Sequence, residues 1–83
     1  MAGIESYKKV FVENFSLTNT KEIEKLEYNM IPEWDSIGHM SLIANLEEEY
    51  KISLEIDDII NFSSFKNGIE ILRSYGVSIP NPF

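Results

Sequence analysis

The 83-residue chain has no cysteine, which excludes a disulfide frame and any thiolate metal site. Its first residues, MAGIESYKKV, lack the apolar run of a secretory signal, and no stretch nears the roughly 18 apolar residues that a membrane span needs. The expected compartment is therefore the cytosol, with no membrane partner. Basic residues are scarce, 7 against 14 acidic ones, for a formal net charge of -7. That balance argues against nucleic acid and anionic lipid and for a partner with a basic surface. Strand-like alternation is nowhere sustained, and there is no internal repeat. What remains is globular composition, 43% hydrophobic and 25% charged. A chain of this length makes one domain, residues 1–83, expected to be a monomer. It buries only about 60% of the surface that its unfolded form exposes, which leaves little room for an enclosed active site.

The charge is unevenly placed. Between residues 33 and 58 stand Glu33, Asp35, Glu47, Glu48, Glu49, Glu55, Asp57 and Asp58, opposed by Lys51 alone. The rest of the chain balances six acidic against six basic residues, so the central third carries the whole net charge. A solvated helical face explains any one acidic run; an asymmetry this complete is also what steering toward a basic partner requires.

Apolar spacing organises the remainder. Ile4, Tyr7, Val10, Phe11 and Phe15 recur every three or four residues and predict a helix over about 4–15. Residues 16–35 read as a long loop, with Thr18, Asn19 and Thr20 as a turn or cap and Ile23 and Leu26 as a helical turn. Pro32 stops any helix running through. Leu17, Ile23, Leu26, Ile31 and Trp34 are its apolar anchors. Asp35 and Ser36 both suit a helix N-cap, ahead of a helix over about 36–50. Lys51 and Ser53 break it; Ile56, Ile59 and Ile60 predict a short helix over about 55–61. Ser63 or Ser64 caps a last helix over about 64–75 with Phe65, Ile69 and Leu72 on its face, and Gly76 suits its end. The tail, 76–83, is expected to pack loosely. The fold class is all-α: a small four-helix bundle with a long first loop and a short third helix.

The second long helix has two apolar sides. At about 100° per residue, His39, Leu42, Ile43, Leu46 and Tyr50 share one arc, the expected core face. Ile37, Met40 and Ala44 lie opposite, continued by Glu47 and Glu48. A helix in so small a bundle rarely has core on both sides, so these residues are expected to form an exposed, acid-bordered patch unless the first loop or the tail covers it.

Ser36 is the residue best placed for chemistry. Position alone makes it a plain N-cap. The same geometry also leaves a hydroxyl accessible where unpaired N–H groups and the helix dipole favour an attached phosphate. An enzymatic reading, with Ser36 as nucleophile and His39 as base, is weaker. Trp34 stands where a nucleophile elbow needs glycine, and His39 points to the core face. No catalytic residue is assigned. The acidic side chains lack the alternation of a calcium loop, so no metal site is assigned either. Tyr7, Tyr28, Tyr50, Tyr75 and the five phenylalanines are explained as core or anchors, since no basic groove accompanies them.

Trp34-Asp35-Ser36-Ile37-Gly38, followed by the helix ending Leu46-Glu47-Glu48-Glu49-Tyr50, resembles the acyl carrier protein family, and the resemblance extends over nearly the whole chain. It implies a carrier with 4'-phosphopantetheine, taken from coenzyme A, on Ser36. Asp35 would assist recognition and Mg²⁺ placement by the phosphopantetheinyl transferase, and the partner-facing positions would be Ile37, Met40, Ala44, Glu47 and Glu48. The arm's thiol would hold an acyl group as a thioester for partner enzymes: a loading ligase, then an acyltransferase or synthase with a basic docking surface. Ile37 replaces the family's usual leucine, and Gly38 stands where fatty-acid carriers commonly have an acidic residue. That pattern is closer to polyketide or D-alanyl carriers and points to a specialised pathway. An aminoacyl carrier and an unmodified acidic interaction module are the alternatives.

Overall fold

The computed structural model describes residues 4–18, 21 and 23–79. Among them the chain forms four α-helices, α1 (Ile4–Phe15), α2 (Ser36–Tyr50), α3 (Ile56–Asn61) and α4 (Phe65–Ser74), with one turn of 3-10 helix at Ile23–Lys25. The expected spans agree to within a residue, because residues 55 and 64 prove to be caps.

The core gathers on one ring. Phe11 meets Tyr7, Phe15, Trp34, Phe62 and Phe65 at centroid distances of 5.0, 6.0, 5.5, 6.5 and 5.1 Å. Aromatic pairs at such distances add to the area they bury. The α1 stripe places Tyr7, Val10, Phe11 and Phe15 inside this cluster, and α4 supplies Phe65, Ile69 and Leu72. Tyr7 keeps a polar atom at this centre because its hydroxyl donates to the Phe65 carbonyl at 2.7 Å. Burial, then the nearby Tyr50, holds its phenol well above the ordinary value of 10. Its stabilising contribution is thus complete below pH 10 and is lost as pH rises through the higher folded value.

The long loop is stitched to the core. Ile23, Leu26 and Trp34 are buried, and Leu17 and Ile31 are partly buried against the cluster. Ile23 and Leu26 form the expected turn, closed by Leu26 N–H on the Ile23 carbonyl at 3.2 Å. Glu27 and Ser64 make an isolated antiparallel bridge, where Tyr28 N–H donates to the Ser63 carbonyl and Phe65 N–H to that of Leu26, each at 2.9 Å. This rung sets the distance between the loop and the α3–α4 connection. Asn19 and Thr20, read as part of a turn, lie outside the described residues.

Four helix ends follow local rules. Asp35 caps α2, accepting from Gly38 N–H at 2.8 Å, and Lys51 ends it in the left-handed conformation at φ 57°. Ser64 and Asn67 form a capping box on α4, and Gly76 follows it at φ 87°.

Two segments are placed by contacts that their local sequence does not show. The tail packs better than its prolines suggest, since Ile79 is buried under the cluster; Pro80 to Phe83 lie outside the described residues. The apolar spacing in α3 does not mark a core face, for none of its residues is buried. Ile56 and Ile60 are 72% and 73% exposed, while Ile59 packs partly against the core. The helix is held by polar ties instead. His39 contacts the Ile59 carbonyl at 2.8 Å, Tyr75 donates to Asp58, and Glu55 N–H donates to the Tyr75 hydroxyl at 2.9 Å. A six-residue helix contributes too little surface to wedge itself into a core already filled by aromatic rings. No helix among the described residues is long and apolar enough to cross a membrane.

Candidate functional site

The site begins with a division of labour at the start of α2. Asp35 takes the cap, so Ser36 becomes the first helical residue and its hydroxyl is not used for capping. This corrects the plain N-cap reading of Ser36. The side chain is exposed, and its Oγ lies 3.1 Å from the Tyr28 hydroxyl. Tyr28 was expected to be a core or anchor residue. It is instead 37% exposed, and nothing local in the sequence ties it to a serine eight positions away.

Gly38 is explained by a close approach. A Cβ at this position would run into the carbonyl oxygen of Glu33, so only glycine lets the incoming loop lie this near the first turn of α2. The other side of that turn is gripped by α1. Asn14 donates to the Gly38 carbonyl at 3.2 Å and accepts from Ser41 and Asn45 at 2.8 Å each. Ser36 therefore stands on a first turn fixed from two sides.

His39 is engaged at both nitrogens. Trp34 Nε1–H, which can only donate, lies 3.0 Å from Nδ1, so Nδ1 accepts and Nε2–H is left to donate to the Ile59 carbonyl at 2.8 Å. Both nitrogens are thus engaged away from Ser36, and His39 is not placed as its base. The ring instead joins α2 to α3.

An open apolar cleft of about 330 Å³ lies beside Ser36. Tyr28, His39, Met40, Ile59, Ile60 and Phe62 line it. The outer face of α2 is as exposed as its spacing predicts: Ile37 is 82% and Met40 56% accessible, and Ala44 and Glu48 are also exposed. Neither the described loop nor the described tail covers Ile37 and Met40. Glu47 differs from this set. It is half-buried, and its carboxylate accepts from Leu54 N–H at 2.7 Å, so it fixes the α2–α3 connection. The structure also adds Ile60 of α3 to the exposed apolar residues near Ser36, and Ile56 of the same helix is exposed as well. Spacing could not reveal them, because Ile56, Ile59 and Ile60 fall within one arc of about 100° and nothing local says which edge of that arc turns inward.

No family model, curated protein or solved structure matches the chain. The functional reading therefore rests on the residues themselves. Among the described residues, no group of three or more His, Asp or Glu side chains is placed to hold a metal ion. A 4'-phosphopantetheine arm fits what is present. It needs an exposed hydroxyl that is not taken up in capping the helix, which Ser36 provides, and room at the surface beside it, which the cleft provides.

Proposed function

We propose that the chain is an acyl carrier protein without catalytic activity of its own, modified by 4'-phosphopantetheine at Ser36. The observation that carries this reading is the release of the Ser36 hydroxyl from capping by Asp35, at an exposed helix start within a sequence that resembles the carrier family. Attachment on a phosphopantetheinyl transferase is a phosphoryl transfer. Ser36 Oγ forms a bond to the pantetheine-bearing phosphorus of coenzyme A as the pyrophosphate P–O bond breaks. Adenosine 3',5'-bisphosphate leaves, and the Ser36 proton passes to the transferase. The first-turn N–H groups of α2 favour the resulting anionic diester. Asp35, the residue before Ser36, would serve recognition by the transferase. Once attached, the arm supplies a thiol that holds an acyl group, or an aminoacyl group, as a thioester.

Ile37, Met40 and Ala44 then form the apolar centre of a docking face and Glu48 part of its acidic border, suited to partner enzymes with basic surfaces. Glu47 serves that face through the loop it holds. A second reading, an unmodified acidic interaction module, is favoured by the same exposed patch, which would serve docking without any modification.

Intact mass decides between them. After incubation with coenzyme A, Mg²⁺ and a broad-specificity phosphopantetheinyl transferase, the native chain is expected to gain one phosphopantetheine and Ser36→Ala none. A folded native chain that gains nothing would remove the carrier reading and leave the interaction module.

A further inference from the structure

The carrier reading leaves Tyr28 without a task, yet the fold brings it to Ser36 by several ties. Its backbone N–H donates to the Ser63 carbonyl, the next N–H, of Asn29, donates to the Trp34 carbonyl, and Met30 N–H returns to that of Glu27, each at 2.9 Å. The excursion from 27 to 34 is thereby closed on itself, with Tyr28 at one end and the buried Trp34 at the other, two residues before Ser36. The Tyr28 ring meets the His39 imidazole edge-on at 5.6 Å, and His39 is itself fixed at both nitrogens. A half-exposed tyrosine held this firmly, with its hydroxyl 3.1 Å from the one serine oxygen proposed to react, is aimed at that oxygen.

Resting on the carrier reading, we infer that Tyr28 is a positioning residue for the group carried on Ser36. In the free chain either hydroxyl of the pair can donate. Esterification removes the Ser36 proton, and Tyr28 then becomes the donor of the pair, to the ester oxygen or to a phosphate oxygen. A hydrogen bond to a charged group is stronger than one between neutral groups, so the contact gains on modification. Before attachment Tyr28 orients Oγ; afterwards it holds the diester beside the apolar cleft whose wall its own ring forms.

Tyr28→Phe removes the hydroxyl and keeps the ring. With coenzyme A, Mg²⁺ and the transferase, its attachment kcat is expected to fall about threefold to tenfold, the worth of one hydrogen bond, with KM for coenzyme A unchanged. The deciding readout is independent of activity. The ³¹P resonance of the attached diester is expected to shift between the native and Tyr28→Phe holo proteins. Coincident ³¹P resonances overturn the inference while leaving the carrier reading intact. A folded native chain that takes up no phosphopantetheine overturns both. If Tyr28→Phe does not fold, the native chain decides: attachment must move the Tyr28 ring resonances and leave those of the buried Tyr7 in place, and unmoved Tyr28 resonances overturn the inference.

Discussion

The aromatic cluster around Phe11 and the α2–α3 face around Ser36 are held together by opposite means. In the first, Tyr7, Phe11, Trp34, Phe62 and Phe65 are essentially inaccessible and each touches other rings. Close packing and the hydrophobic effect hold that region, and it has no freedom to change shape. In the second, α3 has no fully buried residue, Ile37, Met40, Ile56 and Ile60 stand in solvent, and hydrogen bonds from His39, Glu47 and Tyr75 fix the elements. Such bonds contribute about 0.5–1.5 kcal/mol each. The chain thus concentrates its buried packing in one half and leaves the other accessible, as the proposed carrier or docking role needs.

The comparison breaks first at Phe11. Phe11→Ala removes the ring at which the cluster meets, with an expected cost of about 3–5 kcal/mol. In so small a domain that is most of the stability. Urea unfolding should show a largely unfolded chain, whereas Ser36→Ala, on an exposed hydroxyl, should leave the midpoint almost unmoved. Comparable losses for both would mean that the two regions are not separate.

Gly38→Ala tests the join between them. The new methyl must displace the Glu33 backbone or the first turn of α2, at an expected cost of about 1–3 kcal/mol for overpacking. A lowered Tm is expected, with loss of protection from hydrogen exchange at Gly38 N–H, whose acceptor is the Asp35 cap. An unchanged Tm would mean that the loop is free to move aside.

The smallest effect is expected at Tyr75. Its hydroxyl serves both Asp58 and Glu55 N–H, and the bond to Asp58 is the main cause of its phenol being held above the usual range. Tyr75→Phe should raise exchange at the amides of Glu55 and α3 about fivefold to tenfold while leaving those of α1 unaltered. Equal acceleration in both helices would place α3 within the cooperative core after all.

Much of this architecture is legible in the residues. Helix 4–15 follows from a stripe whose members are all buried or partly buried, and the start of α2 from two capping residues in succession. Which of the two would cap was not legible. Asp35 and Ser36 have similar preference, and the choice depends on how the loop enters past Gly38. The outer face of α2 was correctly separated from its core face by angle alone. Glu47 was placed on that outer face by the same angle, but its carboxylate turns to a backbone N–H seven residues on, a contact that depends on the path of the next loop.

The sequence by itself determined the helices, the acidic central third and the placing of Ile37 and Met40 on the side of α2 away from its core face. Each of these is written in interactions between residues a few positions apart, or in periodicities that one helix imposes. The tertiary structure alone decided that Tyr28 meets Ser36, that His39 is occupied at both nitrogens, and that α3 lies on the surface with two isoleucines in solvent. Those depend on bonds between distant segments, chiefly the rung at Glu27 and Ser64 and the contact from His39 to Ile59. No local pattern encodes such contacts, because they exist only after the core has packed.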